Sequence, residues 1–192
     1  MSPALLLAAL LAAPVAPPAP AAPRAVAPPS SEAARADRIE ALLGSIDVAA
    51  TPEEWRALGP AAVPALERLA RDPGDFPSRR ARALQGLSFL GGAAARQALV
   101  DLSRDDALPF SVRASAIEGA GRLLPPAELV RELQPALTAS RHRAVRAVAA
   151  EVLAARAPAQ GCGALRAQVA REPAAGRAVF WRAASGCAEQ GR

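Results

Sequence analysis

From residue 31 onward, apolar side chains recur three and four positions apart, the spacing that places them on one face of an α-helix. Leu84, Leu87 and the small Ser88 follow it, as do Ile117, Ala120 and Leu124, and then Val145, Val148, Ala149 and Val152. A second series carries Leu129, Val130, Leu133 and Leu137, followed by Cys162, Leu165 and Val169. Breakers separate these runs at Asp72-Pro73-Gly74, Gly91-Gly92, Leu108-Pro109, Pro125-Pro126, Ala157-Pro158 and Glu172-Pro173. The pattern predicts helices over 51–58 paired with 60–71, 79–90 with 92–103, 111–124 with 126–138, and 142–156 with 162–171. A helix over 31–44 caps the start, with Ile39, Leu42, Leu43 and Ile46 opposite Arg35, Asp37 and Arg38, and one over 174–187 closes the end. Pro60, Pro64 and Pro126 suit first-turn positions, where a missing N–H costs nothing. Thr51 followed by Glu54 has the form of a capping box. Pro135 lies inside an apolar pattern and predicts a kink or break near Gln134.

The pattern repeats. Val63-Pro64-Ala65-Leu66-Glu67-Arg68-Leu69-Ala70-Arg71-Asp72, moved by about 33 positions, falls on Arg96-Gln97-Ala98-Leu99-Val100-Asp101-Leu102-Ser103-Arg104-Asp105 and keeps Ala-Leu-x-x-Leu-x-Arg-Asp. A second type of helix alternates with it: Arg113-Ala114-Ser115-Ala116-Ile117-Glu118 aligns with Arg146-Ala147-Val148-Ala149-Ala150-Glu151, and Arg80 stands one period earlier. Helices this short cannot hide an apolar face alone. Stacking successive antiparallel pairs does so, which makes the expected fold all-α, a right-handed α-solenoid.

The Gly59-Pro60-Ala61-Ala62-Val63-Pro64-Ala65-Leu66 segment, the Arg71-Asp72-Pro73 turn and the Ser111-Val112-Arg113-Ala114 helix start resemble HEAT repeats, most closely the subtype also found in phycobilin lyases. The resemblance covers about residues 51 to 156. It implies a binding scaffold rather than a specified chemistry. It also implies a structural ladder between repeats, formed by turn aspartates and the arginines that open the next helix, here Asp72, Asp105, Arg80, Arg113 and Arg146. Thr138 replaces the turn aspartate and weakens the ladder there.

Ahead of the repeats stand two other segments. Residues 4–13 read ALLLAALLAA, too short for a bilayer span but suited to the apolar region of a secretory signal. Ala19-Pro20-Ala21 supplies a small-x-small cleavage site, which makes residues 1–21 a signal peptide and the expected location periplasmic or extracellular, with no stable membrane insertion after cleavage. Residues 22–30 continue a Pro/Ala-rich linker, and residues 31–192 form the helical domain.

Composition sharpens this picture. Only 3% of the 192 residues are aromatic and Tyr is absent, so the core rests on many small Ala and Leu contacts. The net charge of +5 comes entirely from arginine, since none of the 23 basic residues is Lys, as in proteins of GC-rich genomes. Acids are interspersed with the arginines, which reads as a solvated mixed surface rather than a nucleic-acid footprint.

Cys162 and Cys187 sit at the beginning and end of the terminal hairpin, where the ends of an antiparallel pair meet. A disulfide between them fits an oxidising compartment. Metal binding is the weaker reading, because His142 is the only histidine and no carboxylate cluster accompanies the cysteines.

No nucleophile is coupled to His142, which reads as a surface residue. Glu53-Glu54 suits first-turn dipole stabilisation. Gly161-Cys162-Gly163 and Gly91-Gly92 read as helix junctions, and Asp101, Asp105 and Asp106 lack the glycine and terminal glutamate of a calcium loop. No active site, metal or cofactor is expected. Trp55 and Trp181 are expected to plug the end layers of the core, with an exposed protein-binding anchor as the alternative.

The function these observations favour is an exported, non-enzymatic scaffold that binds a protein partner, with no nucleic acid expected. Its candidate face carries Arg68, Gln97, Asp101, Arg131 and Gln134 on the helices over 60–71, 92–103 and 126–138. Two alternatives are an arginine-rich nucleic-acid binder and a lyase-like accessory subunit, the latter implied only by the resemblance.

Overall fold

The computed structural model describes residues 28–45 and 50–187, and all the regular structure in them is helical. The expected signal peptide, most of the linker and Ile46 lie outside the described residues. The helices are α1 (Glu32–Gly44), α2 (Pro52–Ala57), α3 (Val63–Arg71), α4 (Pro77–Leu90), α5 (Gly92–Arg104), α6 (Phe110–Leu123), α7 (Pro126–Thr138), α8 (Arg143–Arg156), α9 (Pro158–Arg171) and α10 (Arg177–Ser185). Single 3₁₀ turns over Pro60–Ala62 and Ala174–Gly176 lead into α3 and α10.

Local sequence explains the starts. Ser31 caps α1 by accepting from the Ala34 N–H. At α2, Thr51 Oγ1 accepts from the Glu54 N–H and Glu54 Oε2 accepts from the Thr51 N–H, a reciprocal box that satisfies two otherwise orphaned donors. The bond from the Thr51 N–H, helped by Arg38 at 2.8 Å, holds the Glu54 carboxyl below its usual range. Proline occupies the first turn of α2, α3, α4, α7 and α9, where it needs no hydrogen-bond partner.

Packing follows two patterns at once. Consecutive helices joined by short turns pack together, notably α3 on α4, α5 on α6, α7 on α8 and α9 on α10. Helices two apart also touch, which places α4, α6, α8 and α10 in one row and α3, α5, α7 and α9 in the other. Between the rows lie Leu84, Leu87, Leu99, Leu102, Ile117, Leu129, Leu133 and Leu153, all with no accessible surface. Burying each such side chain contributes roughly 1.5–3 kcal/mol before conformational entropy is set against it. Glycine brings helices of the first row close. A Cβ at Gly121 of α6 would lie 2.5 Å from Val152 Cγ1 of α8, and one at Gly86 of α4 would lie 2.6 Å from the Trp55 ring of α2.

Several details differ from the sequence expectation. Helix α9 starts at Pro158, four residues early, so Gly161 and Gly163 are helical rather than junctional and Cys162 lies one turn inside. Helix α7 runs unbroken through Pro135 to Thr138. Buried Ala136 and Leu137 anchor its last turn, and the Ala139 N–H donates back to Pro135 O at 2.9 Å. The closing helix is split into a 3₁₀ turn and α10. Trp55 is 1% exposed and fills the first layer, but at the other end Phe180 takes the buried position and Trp181 is left 65% exposed. Their adjacency on a helix turns the two side chains about 100° apart, so only one of them faces the core.

Candidate interaction surfaces

The arginines define the polar architecture. A helix leaves its last four carbonyls without partners and carries partial negative charge at that end. In this protein arginines from elsewhere in the chain reach those carbonyls. Arg80 Nε donates to Ala70 O at 2.9 Å, at the end of α3, and Arg113 Nε donates to Ser103 O at 3.2 Å, at the end of α5. Arg146 Nη1 donates to Ser140 O at 2.9 Å, just past α7. The same device recurs where Arg82 meets Leu43 O, Arg156 meets Gly121 O and Arg177 meets Glu172 O. The planar guanidinium suits this role because its donors can serve a carbonyl while others stay hydrated or meet a carboxylate.

This arrangement places the ladder residues. Arg80 and Arg113 each cap the preceding helix, and Arg146 reaches carbonyls just beyond α7. Asp72 is not brought to Arg80, and its Oδ1 instead accepts from the Gly74 N–H at 2.8 Å within its own turn. Asp105 pairs with Arg71 of the previous repeat at 2.7 Å, while Arg113, 2% exposed, meets Asp106 at 2.5 Å. Arg146 finds Glu172 at 2.6 and 2.9 Å. The partnership therefore joins arginine chiefly to carbonyls. Spacing singles out the arginines but not these partners, because every amino acid has a carbonyl.

Glu172 is the most enclosed carboxylate among the described residues, 2% exposed. It receives the Arg146 fork and a bond from Gln168 Nε2 at 2.6 Å, and Arg146 foremost holds its carboxyl below the usual range. The same pairing raises the Arg146 guanidinium further above its usual value.

The candidate face is only partly assembled. Gln97 of α5 and Arg131 of α7 line one open groove of about 370 Å³, together with Arg96, Glu128 and Glu132. Asp101 joins this group by accepting from Gln97 Nε2 at 2.9 Å. Arg131, itself exposed, lies 2.9 Å from Glu132 and 3.9 Å from Glu128, pairs that add little stability at so open a guanidinium. Gln134 is exposed on α7 but does not line the groove, and Arg68 lines a separate depression with Glu67, Arg71 and Asp72.

Cys162 and Cys187 are bonded, with their Cα atoms 5.5 Å apart, which ties the second turn of α9 to the residues after α10. His142 is exposed at the N-cap of α8, and Glu53 pairs with Arg56 at 2.9 Å. Among the described residues no group of three or more His, Cys, Asp or Glu side chains is placed to hold a metal, and no helix is long and apolar enough to cross a membrane.

Comparison with known proteins adds no relative: no protein-family model matches the chain, and neither a curated protein nor a solved structure does.

Proposed function

We propose that this chain is an exported, non-enzymatic scaffold whose paired helices form a right-handed, HEAT-like solenoid and whose α5–α7 groove binds a protein partner. The groove carries the reading: it joins Gln97 and Arg131, 34 positions apart, into one open polar surface. An enclosed reaction chamber would look different, since catalytic sites gather titratable groups in a pocket that excludes water. Support for the solenoid comes from the 33-residue recurrence of Arg80, Arg113 and Arg146 and from the two rows of helices. Support for export comes from the apolar run at 4–13 and the Cys162–Cys187 bond, which suits an oxidising compartment.

The test is site-specific photo-crosslinking in the native host, with the reactive group at Gln97 or Arg131 and a control at exposed Gln160 on α9. A discrete protein adduct from the first two positions and none from the control is expected. No adduct from either groove position, or an adduct that a nuclease removes, overturns the reading.

A further inference from the structure

The charge of the molecule is unevenly placed. Residues 28–45 and 50–138 hold thirteen arginines and fourteen acids, a net charge of −1, whereas residues 139–187 hold eight arginines against two glutamates, +6. Pairing follows the same division. Ion pairs are spread from Arg38 to Glu132, but beyond residue 138 the one found among the described residues is Arg146–Glu172. Arg166, Arg171 and Arg182 are exposed on α9 and α10 with no carboxylate within pairing distance among the described residues.

This basic end also holds an exposed apolar surface. Phe76 and Phe110, the other large exposed apolar side chains among the described residues, stand at helix starts. Trp181 instead forms one wall of a groove of about 300 Å³ with Val169 and Ala184, with Arg166 and Ser185 as polar lining. Only α9 and α10 supply its lining, so it belongs to the last hairpin rather than to the seam between two hairpins. Two features keep its shape in the unbound protein: the Cys162–Cys187 bond, and Arg166 Nη2, which donates to Cys187 O at 3.0 Å. A preformed groove of this kind spends little binding energy on ordering.

We infer that the α9–α10 groove is a second docking surface, and that its occupant is an acidic amphipathic helix of a partner protein. An apolar side chain of that helix packs against Trp181 and Val169, and its carboxylates meet Arg166 and Arg182, which offer two-pronged hydrogen bonding. The inference rests on the protein-binding reading but uses a surface separate from the α5–α7 groove.

The test uses the disulfide-bonded full chain lacking residues 1–21 and two synthetic helical peptides, one with glutamates opposite a leucine face and one with glutamines in their place. Trp181 emission is the readout. The acidic peptide is expected to shift it to the blue and saturate, and the glutamine peptide to bind at least about ten-fold more weakly, about 1.4 kcal/mol. Arg182→Glu should weaken the acidic peptide by a similar factor, and Trp181→Phe should remove the signal while circular dichroism stays unchanged. Equal affinity for both peptides, or no effect of Arg182→Glu, overturns the inference. Tighter binding to phosphatidylglycerol vesicles or to a thymidine oligonucleotide than to the acidic peptide also overturns it, since the surface would then serve an anionic lipid or nucleic acid. Crosslinking at Gln97 and Arg131 is unaffected by any of these results, so loss of this surface and loss of the scaffold reading are separable.

Discussion

Gly86 should tolerate even a single methyl group poorly. It lies in α4 directly beneath the buried Trp55 ring, and an added Cβ would stand 2.6 Å from Cε3 and Cζ3 and 3.2 Å from Leu66 Cδ1. Carbon atoms rest at about 3.5–4.0 Å, so the ring must move by about 1 Å inside a filled layer. Overpacking of this kind costs about 1–3 kcal/mol. Alanine returns about 1 kcal/mol of helix propensity, which leaves Gly86→Ala less stable by up to about 2 kcal/mol. For a domain of this size that lowers Tm by up to about 8 °C.

Gly163 is the control. It is helical and exposed, and an added Cβ there meets nothing within 4 Å, so Gly163→Ala should raise stability by about 0.5–1 kcal/mol. Urea unfolding followed by circular dichroism compares the two. In the Gly86→Ala background, Trp55→Leu should cost less than it does alone, with a coupling of about 1 kcal/mol between the sites. If Gly86→Ala and Gly163→Ala are equally stabilising, the first layer is not packed as described.

Three further outcomes are expected. Glu172 titrates below the usual carboxylate range in the folded protein, so an unfolded chain binds the proton first as pH falls. Its contribution is complete above the ordinary carboxylate pKa and disappears as pH drops through the lowered one. Glu172→Gln should therefore be less stable at pH 7 and show a shallower loss of urea midpoint between neutral and acid pH; parallel profiles would refute the pairing. Replacing both Cys162 and Cys187 by Ser opens a loop closed over a separation of 25 residues and should cost about 3.5 kcal/mol on the chain-entropy account, measured as a change of urea midpoint that reductant reproduces in the parent and not in the variant. Arg113→Leu should cost about 2–3 kcal/mol, because Ser103 O loses its donor in a buried place, and a neutral result would show that the arginine caps do not stabilise the helix ends.

Helices and turns were legible because apolar spacing and Pro/Gly punctuation are local. Val145, Val148, Ala149 and Val152 locate α8, and Asp72-Pro73-Gly74 ends α3, without reference to any other part of the chain. The start of α9 was not legible: Gly161 and Gly163 read as a junction, whereas Pro158 at the first turn and Leu153 of α8, 3.5 Å from where a Gly161 Cβ would stand, hold that segment in the helix. Phe180 and Trp181 show a similar limit. Composition says that a large aromatic fills the end layer, but which of two neighbours turns inward depends on how α10 lies on α8 and α9. The arginines exposed the deepest gap. Their abundance read as coding bias, while many of them serve carbonyls 10 to 39 positions away. Of the five candidate residues, Gln97, Asp101 and Arg131 lie together, whereas the places of Arg68 and Gln134 depend on the spacing of whole helices.

The most direct measurement is the intact mass of the protein isolated from its native host, before and after reduction. The account predicts a chain beginning at Ala22 that gains two hydrogens on reduction, as an exported chain with a Cys162–Cys187 bond requires. A full-length chain whose mass is unchanged by reductant would contradict export and return arginine-rich binding inside the cell to first place.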